Sequence, residues 1–152
     1  MTGLDTLQKI LSEYNISDEQ QFMIVPHGTG LINNTWKVSK GDSQYILQRI
    51  NTNVFKQPLD IEYNIHQIAQ YLEKNHPDYL FPSPVTTKNG KEMVQHSEGY
   101  FRLFPFIKNS YTIDVAATPQ QAFEAARQFG TFTHLLSRFP AAYLKNTIPD
   151  FH

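Results

Sequence analysis

Two glycines separated by one residue, Gly28-Thr29-Gly30, stand between two β-prone runs, and a third run downstream carries a cation, Arg49. Glycine lets a backbone approach an anion closely and adopt positive φ, and the amides of such a loop can point at phosphate oxygens. A guanidinium on a strand beneath that loop would clamp two phosphate oxygens at once. Together these residues suit the phosphate chain of a nucleotide, with phosphoryl transfer as the chemistry. Taken singly, each has a plainer reading: the glycines as a tight β-turn, and Arg49 as an exposed side chain on an edge strand.

Two further groups belong to the same constellation. Glu62 lies beside Ile61 in a helical pattern, so its carboxylate would reach the sheet and orient the strand cation; Asp60 and Asn64 compete for that role, and a solvated helix carboxylate is the plainer alternative. The run Phe101-Arg-Leu-Phe-Pro-Phe-Ile107 would end where backbone N–H and C=O groups meet the edge of a base, with apolar side chains on either side of its ring. The same run reads equally as an aromatic-filled core strand. Trp36 reads as a packing residue. The six histidines show no close metal spacing, and neither a Walker A signature nor Gly-x-Ser-x-Gly is present.

The elements that must position these groups follow from periodicity. Leu4, Leu7, Ile10, Leu11 and Tyr14 predict a short amphipathic helix over 4–14. Phe22 to Pro26, Ile32 to Val38 and Tyr45 to Ile50 predict three strands joined by short turns, Lys40-Gly41-Asp42 among them, which makes an antiparallel meander. Within the third strand Leu47 and Arg49 share a face, and that face is expected beneath the glycines. Ile61, Ile65, Ile68 and Leu72 form one helical stripe that starts near Pro58 and stops at Asn75-His-Pro77. Val85 to Lys88, Asn89-Gly90 and Lys91 to Gln95 predict a hairpin with a type I′ turn. Pro105 must sit at an edge, a bulge or the end of its strand, because it has no ladder donor. Thr118-Pro-Gln-Gln121 predicts a capping box that opens a helix to about Ser137. The fold expected is α+β: a five- or six-stranded antiparallel sheet with one packed helix, then a helix beyond it.

Composition narrows the function classes. With 152 residues, 40% apolar and 18% charged, the chain is globular rather than disordered. Thirteen basic against 14 acidic residues lack the excess that a general nucleic-acid surface needs, so no nucleic-acid partner is expected. Cysteine is absent, which removes disulfides and thiolate metal sites. No signal peptide and no membrane span is evident, so a soluble cytoplasmic protein is the expectation.

The pattern Gly28-x-Gly30-x-Ile32-Asn33-x-Thr35-Trp36, then Tyr45-Ile-Leu-Gln48 and Ile50-Asn-Thr-Asn-Val-Phe55, resembles the N-terminal lobe of the N-acetylhexosamine 1-kinase group of the aminoglycoside phosphotransferase and choline kinase-like superfamily. Asn64-Ile65, Tyr100 to Ile107, Phe129-Gly130 and Thr147-Ile-Pro-Asp-Phe-His152 extend the resemblance over nearly the whole chain. It implies a protein-kinase-like N-lobe over 1–107, and the hinge and first helix of a C-terminal lobe over 108–152. It implies ATP and Mg²⁺ as cofactors and a sugar or amino sugar as acceptor. Gly28, Thr29, Gly30, Asn33, Thr35 and Arg49 would meet the phosphates, with Glu62 on the helix and Phe106 and Ile107 near the adenine. The His-x-Asp-type loop, the downstream Asn and the metal-binding Asp of that group belong to its C-terminal lobe. The chain is therefore expected to be the amino-terminal portion of a kinase, a cloned domain or a truncated gene, without catalytic residues or activity of its own. A non-catalytic α+β module is the alternative; in either case the late helix would expose an apolar face that invites self-association.

Overall fold

The computed structural model describes residues 2–16, 21–28, 30 and 32–148. Their elements are α1 (Leu4–Ser12), β1 (Met23–Pro26), β2 (Asn34–Lys40), β3 (Ser43–Ile50), α2 (Pro58–Asn75), β4 (Val94–His96), β5 (Gly99–Pro105), α3 (Pro119–Leu135) and a 3₁₀ turn at Ala141–Tyr143. The strands form one five-stranded antiparallel sheet in the order β1-β2-β3-β5-β4. The expected α+β class and the meander of the first three strands are both present. Gly41 turns β2 into β3 with φ 55°, a conformation that suits glycine.

The core lies on one side of this sheet. Leu7, Ile10, Leu11 and Tyr14 carry the apolar stripe of the first helix against Val38, Leu47, Val94, Phe101 and Leu103, all buried, with Trp36 and Tyr45 packed at the margin. The Tyr14 hydroxyl donates to the Phe101 carbonyl at 2.7 Å, fixing the end of α1 to β5. Strand alternation assigns the faces. Trp36 pairs with Leu47 and Leu47 with Leu103, so these side chains share the covered face; Thr35, Gln48 and Arg102, equally in register, share the other.

α2 begins at Pro58 as its first helical residue and ends at His76, whose N–H donates to the Leu72 carbonyl. The predicted hairpin over 85–95 forms only as a turn. The Thr87 N–H donates to the Lys91 carbonyl, and Gly90 takes φ 74°. The arms go elsewhere: Val85 donates to Leu103, Lys88 to Glu13, and Asn15 to Thr86, while Thr87 bridges Tyr14. The end of α1 and the flank of β5 compete successfully for backbone groups that a local hairpin would have paired, so five strands form and not six. Pro105 ends β5, where no ladder donor is needed.

α3 has the expected Thr118 N-cap, with Pro119 in the first turn and both halves of the capping box present. It contains no buried residue. Phe132 stacks with Tyr79 and Phe81, and beyond the helix Phe139 meets Tyr71 edge-on. Asn64 of α2 exchanges two hydrogen bonds of 2.8 Å with the Lys145 backbone, tying the last described segment to that helix. No helix among the described residues is long and apolar enough to cross a membrane.

Burial pushes the Tyr14 phenol well above its ordinary pKa, with the Glu62 carboxylate adding to the rise and the backbone at Val94 and the Arg102 charge opposing it. The folded pKa is raised, so the stability it contributes is complete below the unfolded value of about 10 and is lost as pH climbs beyond it. Tyr14→Phe should therefore lower stability by about 1 kcal/mol at neutral pH and flatten the decline above pH ~10. Urea unfolding across the pH range checks both effects.

Candidate functional site

The stretch between β1 and β2 is closed by the His27 N–H, which donates to the Thr35 carbonyl at 2.9 Å. Gly28 takes φ 76°, which a side chain would oppose. Gly30 stays outside that region, and a Cβ built there would meet only the Asn33 carbonyl oxygen at 3.8 Å. The two glycines thus differ: one is required by conformation, and the other provides only smallness. Thr29 lies outside the described residues. The Asn33 side chain accepts from the Asn51 N–H at 3.0 Å, so it ties the loop's exit to the end of β3.

Beside this loop the sheet face opposite α1, its side chains half-buried, carries a polar row. Thr35, Gln48 and Arg102 are neighbours across β2, β3 and β5. The Gln48 amide donates through Nε2 to Thr35 Oγ1 at 3.4 Å, and its Oε1 accepts from Arg102 Nε at 3.1 Å and Nη2 at 2.9 Å. One step toward the other end of the strands lies a second row, Val25, Lys37, Ile46 and Phe104. Lys37 Nζ sits 4.0 Å over the Phe106 ring, which also meets the His27 ring edge-on at 6.2 Å. The strand residues of this face carry two full cations, Lys37 and Arg102, and no carboxylate. Such a face attracts anions, while its apolar end at Ile46, Phe104 and Phe106 suits a flat ring.

Arg49 is not part of this face, contrary to the expectation from sequence. It shares its side of β3 with Leu47, as the alternation requires, but that is the side α1 covers. Its Nη1 donates to Thr2 Oγ1 at 3.3 Å, and its stem lies across Gly99, where an added Cβ would come within 3.3 Å of Nε. Glu62 is also engaged elsewhere. Its Oε1 accepts from the Glu92 N–H at 2.7 Å, and it lines a cavity of about 560 Å³ between α1, α2 and β4 together with Lys9, Glu13, Lys91 and His96. That cavity is away from the glycines, with a lining of mixed charge.

At the end of β5 the Phe106 N–H donates to the Gln44 carbonyl at 2.9 Å. The Ile107 carbonyl accepts from Ser110 Oγ at 2.6 Å and from its N–H at 3.3 Å. The Ile107 side chain is exposed. The string His76-Pro77-Asp78 has His-x-Asp spacing, but His76 caps α2 against the Tyr71 ring and Asp78 is exposed in the turn after it. No cluster of three or more His, Asp or Glu gathers as a metal shell among the described residues.

The structure thus brings Thr35 and Phe106, both singled out by the sequence, onto one face with Gln48, Arg102 and Lys37, which the sequence had not singled out. A signal for Arg102 existed: one charge inside the apolar run Tyr100 to Ile107, flanked by Phe101 and Leu103, needs a polar partner on its own face.

No family model matches the chain. Solved structures share its fold. A spectinomycin phosphotransferase, in complex with ADP and spectinomycin, superposes with a TM-score of 0.60 at 13% identity, over 93% of this chain and 40% of that one. A microcompartment-associated aminopropanol kinase gives 0.63 at 19% identity, over 95% of this chain and 44% of that one. An aminoglycoside phosphotransferase from Alicyclobacillus acidocaldarius gives 0.63 at 19% identity, over 91% and 37%. The α+β arrangement is that of a kinase-like N-terminal lobe, and the chain spans about two fifths of the length of these proteins.

The two glycines should respond differently to substitution. Gly28→Ala forces a side chain into the left-handed region and should cost about 1 kcal/mol, whereas Gly30→Ala should change stability by less than about 0.5 kcal/mol. Thermal melts of the two variants, side by side, check the contrast.

Proposed function

We propose that this chain is the nucleotide-binding N-terminal portion of an ATP-dependent small-molecule kinase, with residues 1–107 as its lobe and 108–152 as the hinge and the start of a second lobe. The observation that carries the reading is the sheet face opposite α1 beside Gly28, whose strand residues include Lys37 and Arg102 and no carboxylate, with apolar side chains toward Phe106. The fold shared with phosphotransferases of small molecules supports the same class of reaction.

In this reading the phosphates of ATP lie over the row Thr35, Gln48 and Arg102, beneath the loop at Gly28 to Gly30. The base lies toward Ile46, Phe104 and Phe106, near the exposed Ile107. The sheet face fits a polyphosphate because it offers cations and donors; it offers no carboxylate to Mg²⁺, whose ligands the second lobe would supply. Mg²⁺, when bound, neutralises charge building on the transferred phosphoryl group. This chain's own residues bind and orient the nucleotide. The acceptor is a hydroxyl compound, and the resemblance to N-acetylhexosamine 1-kinases favours a sugar or amino sugar. Positioning one substrate without a base for the other does not run the transfer.

A second reading keeps the sheet and drops the chemistry: a module that self-associates or docks a partner. The exposure of Phe123 at 59% and Phe129 at 74% on α3 favours it. Sedimentation that stays monomeric at every accessible concentration would remove its self-association form.

Calorimetry with ATP and Mg²⁺ tests the first reading. The expected result is saturable binding at one site, and no ADP formation above blank when an N-acetylhexosamine is added. Absence of binding by both ATP and ADP would count against the nucleotide site; sustained sugar phosphorylation would contradict its dependence on a second lobe.

A further inference from the structure

The guanidinium of Arg102 is held from one side only. Nε and Nη2 both donate to the same Gln48 oxygen, and the remaining contact is the Phe104 ring, 5.1 Å away. Nη1 has no partner among the described residues. Among the described residues no carboxylate pairs with the group, although it is only partly exposed and sits mid-strand between Phe101 and Leu103, both fully buried on the opposite face. A cation removed from water without a counter-charge is costly, and the cost is relieved by an anion that arrives with it. Burial indeed pulls the pKa of Arg102 down, with the Tyr14 hydroxyl opposing that shift.

Gln48 fixes the direction of this charge. Its amide spans two strands, with the nitrogen on Thr35 and the oxygen on Arg102, and the guanidinium's donors require the oxygen on that side. The third strand therefore supplies a neutral orienting group on the face opposite α1, while the cation comes from β5. Arg49, the strand cation nearest in sequence, lies across Gly99 on the face that α1 covers. Lys37 stands two strands across and two residues along from Arg102, roughly 12 Å between backbones, and its ammonium is placed over an aromatic ring rather than against an acid.

Resting on the nucleotide reading above, we propose that Arg102, aimed by Gln48, is the residue that clamps the phosphates of the bound nucleoside triphosphate, and that Gln48 acts as its positioning residue. The guanidinium offers its unpartnered donor edge to the phosphate oxygens, and the Gln48 contact restricts its rotamers before the ligand arrives.

The test measures calorimetric affinity of the full chain for ATP and for inorganic tripolyphosphate, with near-UV circular dichroism as the check of fold. Arg102→Met should weaken ATP binding about tenfold or more, the loss that goes with a charge-assisted hydrogen bond. Arg102→Lys keeps the charge without the fork and should fall between that variant and the wild type. Gln48→Leu should weaken ATP several-fold with Arg102 intact, and Arg49→Met should leave affinity within about twofold. Tripolyphosphate should follow ATP across the series. Wild-type affinity in Arg102→Met, or an equal loss in Arg49→Met, overturns the clamp and leaves the nucleotide reading standing. If Arg102→Met fails to fold, Arg102→Lys and Gln48→Leu decide: unchanged affinity in both overturns the proposal. If the wild-type chain binds neither ATP nor tripolyphosphate, the nucleotide reading falls and the clamp with it.

Discussion

The packing of Leu7, Ile10, Leu11 and Tyr14 of α1 onto Val38, Leu47, Phe101 and Leu103 closes one face of a five-stranded sheet, and the other face inherits whatever chemistry the sheet performs. A two-layer unit has to bury one side of its sheet. Here the burial is completed by a hydrogen bond, the Tyr14 hydroxyl on the Phe101 carbonyl, and by the Asn15 and Lys88 N–H groups, which donate to the Thr86 and Glu13 carbonyls. The short helix and the flank of β5 hold each other in register. Every polar residue of the strands is sorted by that choice: Arg49 goes to the α1 side and meets Thr2, while Thr35, Gln48 and Arg102 go to the opposite side and meet each other.

Much of this architecture was legible in the chain. Turn glycines, the Pro58 helix start, the stripe of α1 and the capping box at Thr118 are local signals, and each formed as the sequence indicates. What was not legible depended on the partner of a surface. The run Tyr45-Ile-Leu is apolar on both sides, so alternation tells that Leu47 and Arg49 share a face but not which face a helix will cover. Arg49 was misplaced for that reason. The hairpin arms at 85–95 failed similarly: their turn is local and formed, but their backbone partners came from α1 and β5. Glu62 has helical spacing toward the sheet, yet the nearby Glu92 N–H took its carboxylate. Thr29 lies outside the described residues.

Beyond the sheet, the chain is attached by a few specific contacts. Phe132 stacks with Tyr79 and with Phe81, and Asn64 satisfies both backbone groups of Lys145. α3 nevertheless buries none of its residues, and its Phe123 and Phe129 face solvent. The proteins that share this fold are more than twice as long as the stretch that superposes. The proposed division of labour follows: the sheet holds a nucleotide, and the rest of such a protein would hold the acceptor and the base.

The central claim is that the ligand lies on the face opposite α1, between the loop at Gly28 and the rim at Phe106. Backbone amide shifts of the isotopically labelled chain, recorded while ATP and Mg²⁺ are added, test it most directly. The account predicts that perturbations concentrate at His27, Gly28, Thr35, Gln48, Arg102 and Ile107. Perturbations confined to α1, Glu62, Lys91 and His96, around the cavity beside β4, would contradict it.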